Sequence, residues 1–210
     1  MKPYIVGISG SSGVVYGLRL TRVLAELGYD LILTITDAAR LVIHEEVGIE
    51  IDDLGSDDFL KSLFKPEVLE RVKYYHYKDL LAPVSSGSFR TRGMVIMPCS
   101  VSTLSQIAHG ASQNLLERAA DVVIKEKRKL ILVPRETPLS AIHLENMLKL
   151  ARLGVDIVPA NPGFYGRPKR IDDLIDFVVG KVLDLLGIEA ELFERWKGKE
   201  TSVVANPQLI

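Results

Sequence analysis

Arg135 and Glu136 stand directly after the apolar run Leu130, Ile131, Leu132, Val133 and its closing Pro134. A short apolar run stopped by proline reads as a buried strand. The charged pair therefore projects from the strand's C-terminal end, where open α/β sheets bind ligands. Thr137 and Pro138 follow and have the types of an N-cap and a first helical residue, which puts a partly positive helix terminus beside the pair. An anion could be held and protonated there.

Other polar sets recur where apolar runs end. Gly7, Ser9, Gly10, Ser11, Ser12 and Gly13 lie between a strand and a helix, so backbone N–H groups and hydroxyls could wrap a phosphate; a tight turn is the plainer alternative. The glycines fall at 7, 10 and 13 with no lysine after them, which is neither a Walker A loop nor GxGxxG. The hydroxyls favour a monophosphate such as FMN over the pyrophosphate of NAD. Asp37 keeps NAD in contention as a ribose-binding acid, although Thr36 or Asp37 also suits the cap of the helix from Ala38. Ser100, Val101, Ser102 and Thr103 set hydroxyls at another helix start, as caps or as ligand donors.

Arg118 and Lys125 share a helical face seven residues apart, either aimed at one anion or solvated among Glu117, Asp121 and Glu126. Glu46 lies four residues beyond Val42, on the mostly apolar side of its helix, where half-burial would raise a carboxyl pKa and suit proton transfer. The stem of Lys181 borders an apolar stripe, so its ammonium either snorkels or reaches a phosphate. His44, His76, His109 and His143 show no metal-ligand spacing with each other or with Cys99 and read as structural. Without a nucleophile-elbow sequence, acyl transfer is disfavoured.

These residues need a scaffold, and the pattern supplies one. Apolar runs alternate with amphipathic stretches, the signature of an α/β fold: a Rossmann-like open parallel sheet with helices on both faces, in three layers. Strands are expected near residues 4–9, 30–36, 94–97, 130–133 and 155–158, with a weaker one over 73–77. Leu20, Val23, Leu24 and Leu27 repeat at helical spacing before the Gly28 stop. Further helices are expected over 38–47, 101–109, 114–127, 140–153 and 171–186. Residues 48–72, acidic and then weakly helical, suggest a surface excursion. Residues 79–92, with Ser85 to Ser88, suggest a long functional loop. One domain is expected over 1–186, with a tail over 187–210, bearing Trp196, that docks on a neighbouring subunit.

Charge narrows the partners. With 26 basic and 27 acidic residues in 210, there is no basic field to hold nucleic acid or an anionic membrane. The single cysteine excludes an internal disulfide and fits a reducing compartment. No apolar stretch approaches 18 residues and no signal-peptide arrangement precedes Tyr4, so no membrane span and a cytoplasmic location are expected.

Several blocks together resemble the UbiX-type flavin prenyltransferases among the FMN-binding flavoproteins: Gly10 to Gly13 with Tyr16 to Arg19, Ser86 to Ser88, Pro98 to Ser100, Asn114 to Asp121 with Lys125, Leu132 to Glu136 with Pro138, Ile142 to Leu150, and Pro162 to Tyr165. The resemblance implies a homododecamer with active sites at subunit junctions. It implies transfer of a dimethylallyl group from dimethylallyl monophosphate to N5 and then C6 of reduced FMN, without metal, giving prenylated FMN for a UbiD-type decarboxylase. By the same resemblance, Ser12, Glu46 and Glu136 are the catalytic set: the first two handle protons beside the flavin, and Glu136 protonates the departing phosphate. Lys125, Arg135, Tyr165 and Lys181 hold that phosphate. Gly10, Ser11, Ser12, Thr36, Ser100 to Thr103 and Arg135 bind FMN, while Arg118, Ser86, Gly87 and Trp196 support the site.

The chain departs from the family pattern at Ser11 and Ser85, where alanine is usual, and at Lys181, where arginine is common; lysine keeps the charge and loses the bidentate fork. A carrier or accessory subunit that binds FMN without chemistry is the alternative. A cysteine-type decarboxylase is disfavoured, because Val14, Val15 and Tyr16 stand where that group has a histidine.

Overall fold

A computed structural model describes residues 2–49, 58–196 and 198. The chain divides into two compact units, Met1–Asn161 and Pro162–Ile210. The first contains six strands, β1 (Tyr4–Ile8), β2 (Leu31–Ile35), β3 (Val72–Tyr74), β4 (Gly93–Cys99), β5 (Lys129–Pro134) and β6 (Asp156–Ile157). They form one parallel sheet in the order β3-β2-β1-β4-β5-β6. Each expected strand is present, its ends within about three residues of the expected ones.

The winding reverses between β1 and β4, so the crevice beyond their C-terminal ends is the topological switch point. Both faces of the sheet are covered. Ile5, Ile32, Met94, Ile96, Leu130 and Leu132 pack with α5 (Val101–Ala108), α6 (Leu115–Lys125) and α7 (Ala141–Arg152) through Leu104, Ile107, Leu116, Ala119 and Leu150. On the alternate parity Val6, Ile8, Leu33, Val95, Ile131 and Val133 are also buried, as strands enclosed on both faces require. Here α1 (Val14–Glu26) lies so close to β4 that a Cβ at Gly17 would overlap the Met97 carbonyl oxygen. Only glycine allows that approach.

Two expectations are corrected. Thr137 and Pro138 do not start a helix: their peptide bond is cis and α7 begins at Ala141. The cap is Ser140, whose Oγ accepts from the His143 N–H while His143 Nδ1 accepts from the Ser140 N–H; reciprocal satisfaction of two orphan donors decides the start. Residues 48–72 are not simply a surface excursion. After α2 (Asp37–Val47), α3 (Asp58–Leu63) and α4 (Pro66–Leu69) bury Phe59, Leu60, Leu63, Phe64 and Val68, apolar residues close enough in sequence to share one face. Glu50, Asp52, Asp53 and Asp57, the acidic residues expected there, lie outside the described residues.

Helix α6, which carries Arg118 and Lys125, is capped by Asn114, whose side chain accepts from the Glu117 N–H at 3.0 Å. The Asn114→Ala variant is expected to lose about 1 kcal/mol, a fall of about 2–4 °C in melting midpoint by calorimetry. An unchanged midpoint would show the cap to be dispensable. In the second unit the main element is α8 (Ile171–Leu185), whose Gly180 packs against the Phe193 ring.

Candidate active site

Ser9 ties together the two strands at the switch point. Its Oγ donates to the Pro98 carbonyl at 3.1 Å and accepts from the Ser100 N–H at 2.7 Å. Just beyond, the Ser100 Oγ caps α5 by accepting from the Thr103 N–H, and the Thr36 Oγ1 caps α2 by accepting from the Ala39 N–H. The N-termini of α2 and α5 thus open on one cleft of about 440 Å³ that also includes Gly10, Ser11, Val101, Ser102 and Glu136. Two positive helix ends with hydroxyls between them favour an anion. The volume lies within the roughly 300–1,000 Å³ of small-ligand pockets. These residues fit a phosphorylated cofactor of the FMN type.

The pair that opens the sequence argument is latched to the first loop in both directions. The Ser11 Oγ donates to the Arg135 carbonyl at 2.7 Å, and the Arg135 Nε donates to the Ser12 carbonyl at 3.1 Å. Glu136 is exposed, lines the cleft, and accepts from the Thr137 N–H. Beside Arg135, burial pushes the Tyr16 phenol up, and the arginine charge offsets only part of that.

Glu46 departs from expectation. It is not half-buried on an apolar side; it is exposed, with both carboxylate oxygens accepting from the Gly13 N–H at 3.0 and 2.9 Å and one also from the Val14 N–H at 3.1 Å. The helix start expected to face a phosphate therefore holds a carboxylate, and two anions repel at one helix end. Gly13 directly follows Ser12, which is itself exposed.

Asp37, weighed as a ribose acid, accepts from the Tyr77 hydroxyl at 2.6 Å and pairs with Lys78 at 3.4 Å. Burial pushes this carboxyl up, but those hydrogen bonds and the Lys78 charge outweigh it and hold it below the ordinary aspartate value. Tyr77 and Asn114 also line the cleft. Neither was picked out from sequence as a site residue: Tyr77 read as the end of a weak strand, and Asn114 as the start of a helix. Buried Arg40, its guanidinium over the Phe59 ring at 4.8 Å, gave no signal at all.

On α6, Arg118 donates to the Ser85 carbonyl at 3.1 Å and pairs with Asp121 at 2.9 Å, while Lys125 pairs with Glu126 at 3.4 Å. Two of the three acids that read as counter-charges, Asp121 and Glu126, are therefore real partners, whereas Glu117 accepts from the Gln113 N–H; Arg118 reaches the serine loop as well. Within the second unit the Tyr165 ring meets Trp196 and Phe177 edge-on at 5.9 and 5.7 Å, and Lys181 shares Asp184 with Arg195.

Each histidine bonds nearby backbone, and burial alone pushes the Cys99 thiol well above its usual value. Among the described residues no group of three or more His, Cys, Asp or Glu is arranged to hold a metal ion. No described helix is long and apolar enough to cross a membrane.

A family profile described as Flavoprotein matches residues 1–183. The flavin prenyltransferase UbiX of Halalkalibacterium halodurans is 56% identical over 193 residues, covering 92% of each chain. A crystal structure of AnUbiX (PadA1) in complex with FMN and dimethylallyl pyrophosphate superposes with TM-score 0.83 at 38% identity, covering 95% of this chain and 99% of that one. A dodecameric FMN-dependent UbiX-like decarboxylase from Escherichia coli O157:H7 superposes with TM-score 0.82 at 42% identity, covering 94% and 100%.

Proposed function

Because the chain belongs to the Flavoprotein family, in its flavin prenyltransferase (UbiX) branch, we propose that it joins the dimethylallyl group of dimethylallyl monophosphate to N5 and C6 of reduced FMN, with no metal ion. The observation that carries this reading is the carboxylate of Glu46 held on the Gly13 and Val14 N–H groups, one residue from Ser12. A carboxylate acceptor fixed on the backbone of the residue that follows a serine is suited to moving a proton.

Thr36, Gly10, Ser11 and Ser100 to Thr103 hold the FMN phosphate and ribityl chain at the joined ends of α2 and α5. Bound reduced flavin supplies the nucleophilic N5 and C6. Ser12 and Glu46 would handle proton transfer during ring closure, in which the allylic double bond gains a proton and C6 loses one, and Glu136 would donate a proton to the leaving phosphate. Arg135, Lys125, Tyr165 and Lys181 stabilise that phosphate's charge, the work a divalent cation does elsewhere. Arg135 is preorganised for this by its bond to Ser12. Trp196, next to Tyr165, presents a ring face to allylic cation character.

In the single chain Glu136 is exposed and open to a covering partner. We therefore place a neighbouring subunit over it, in a homododecamer in which each site lies at a junction and the tail from 187 docks across subunits; residues 197 and 199–210 of that tail lie outside the described residues. The product then serves a UbiD-type decarboxylase in the cytoplasm, a setting that a single buried, unpaired cysteine suits.

The test is anaerobic incubation of the protein with reduced FMN and dimethylallyl monophosphate in chelator, read by mass spectrometry. A flavin heavier by one prenyl unit is expected; unmodified FMN alone would leave only FMN carriage without chemistry. Running the diphosphate in parallel establishes which leaving group the cations accept.

A further inference from the structure

The last turn of α6 ends in a Schellman motif. The Lys127 N–H donates to the Ile124 carbonyl at 3.0 Å and the Arg128 N–H to the Val123 carbonyl at 2.9 Å. Lys127 occupies the left-handed position with φ 54°, a place usually given to glycine. The chain turns there, and the Arg128 side chain reaches the Ser85–Phe89 loop. Its Nη2 donates to the Gly87 carbonyl at 2.6 Å and its Nη1 to the Phe89 carbonyl at 2.7 Å. Both ends of the fork are used, and the side chain is only 16% exposed.

Glu126, from the same turn, closes the loop from its other side. A Cβ at Gly87 would meet the Glu126 carboxylate, which packs directly over that glycine and would have to shift. That carboxylate lies 3.8 Å from the Arg128 Nη2 and 3.4 Å from the Lys125 Nζ. Arg118, one helical face away, holds the Ser85 carbonyl. At the loop tip the Ser86 and Ser88 hydroxyls meet at 3.0 Å and are exposed. One mostly covered guanidinium thus holds two loop carbonyls, and the Glu126 carboxylate beside it pairs in turn with the Lys125 ammonium.

We infer that Arg128 is a positioning residue for the prenyl donor: by fixing the Ser86–Ser88 turn and, through Glu126, the Lys125 ammonium, it sets both against the substrate phosphate. This rests on the reading that Lys125, Ser86 and Gly87 serve that substrate. A planar fork bonded to two carbonyls cannot be replaced by a lysine, which carries the same charge on a single point. The arrangement therefore depends on geometry rather than charge. Arg128 lies outside the α2–α5 cleft, so FMN binding does not require it.

The test compares wild type with Arg128→Lys and Arg128→Gln in the intact protein. Readouts are melting midpoint, FMN affinity by fluorescence, steady-state prenylation with varied dimethylallyl monophosphate, and hydrogen exchange of the amides from Ser86 to Phe89. Both variants are expected to keep FMN affinity within about twofold, to raise KM for the prenyl donor by about tenfold or more, and to lose amide protection in the loop. Failure of Arg128→Lys to rescue is part of the expectation. Variants whose KM stays within about twofold, while the wild type turns over, overturn this inference and leave the proposed activity standing. Parallel losses in FMN affinity, KM and melting midpoint also overturn it, as they mark a merely structural residue. Absence of prenylated flavin from the wild type overturns the activity and the inference with it.

Discussion

Glu46→Gln is expected to slow prenyl transfer by about 10²–10⁴-fold while FMN affinity changes by no more than about threefold. The carboxylate has two separable roles. One is structural: its oxygens accept from the Gly13 and Val14 N–H groups and satisfy the start of α1. Glutamine keeps one acceptor oxygen for those donors and loses the charge, which at an exposed helix start contributes about 0.3–1 kcal/mol. The melting midpoint should therefore fall by no more than about 4 °C. The other role is chemical. A neutral amide cannot take a proton at ring closure, so the loss should appear in kcat with little change in KM. Single-turnover absorbance under anaerobic conditions, beside a thermal melt, separates the two. A variant with native turnover and a lowered midpoint would reduce Glu46 to a helix cap.

The second large effect is on stability. At an open helical site, Gly→Ala stabilises by about 1 kcal/mol, and Gly17 is the fourth residue of α1. Packing reverses the sign here. The added Cβ would overlap the Met97 carbonyl, a backbone atom in β4, and press the Ile8 side chain at 3.0–3.1 Å. Neither yields cheaply in a close-packed interior, so α1 must move away from the sheet. Overpacking costs about 1–3 kcal/mol, occasionally more, and Gly17→Ala belongs at the upper end. A loss of about 3 kcal/mol lowers the melting midpoint by about 6–12 °C. Because Gly13 begins the same helix, the Glu46 contact should loosen as well, and turnover should fall along with stability. A midpoint at or above wild type would show that α1 does not seat on β4 so closely.

Arg135 and Glu136 illustrate what local sequence could reveal. A run of four aliphatic residues before proline fits a strand buried on both faces, and charge directly after it marks the strand's open end. The alternation of such runs with 3.6-period helices also specifies a parallel, doubly wound sheet, since parallel neighbours need crossovers. Capping was legible to within a residue at Thr36 and Asp37, of which Thr36 is the cap. It was misread at Thr137–Pro138, where Ser140 and His143 made the better reciprocal pair three residues on. Resemblance, rather than periodicity, picked out Tyr165 and gave Ser12, Lys125 and Trp196 their roles.

By itself, then, the sequence determined the elements, their order and the charged strand ends, because periodicity and turn chemistry act over a few residues. Tertiary structure alone decided which polar groups meet. Glu46 reaches the start of α1 across 33 residues, Ser11 reaches Arg135 across 124, and Arg128 reaches Gly87 across 41. Each of those contacts exists because the winding order and close approaches such as Gly17 on Met97 bring distant backbone together. No pattern along the chain carries that separation; the packing of helix on sheet sets it.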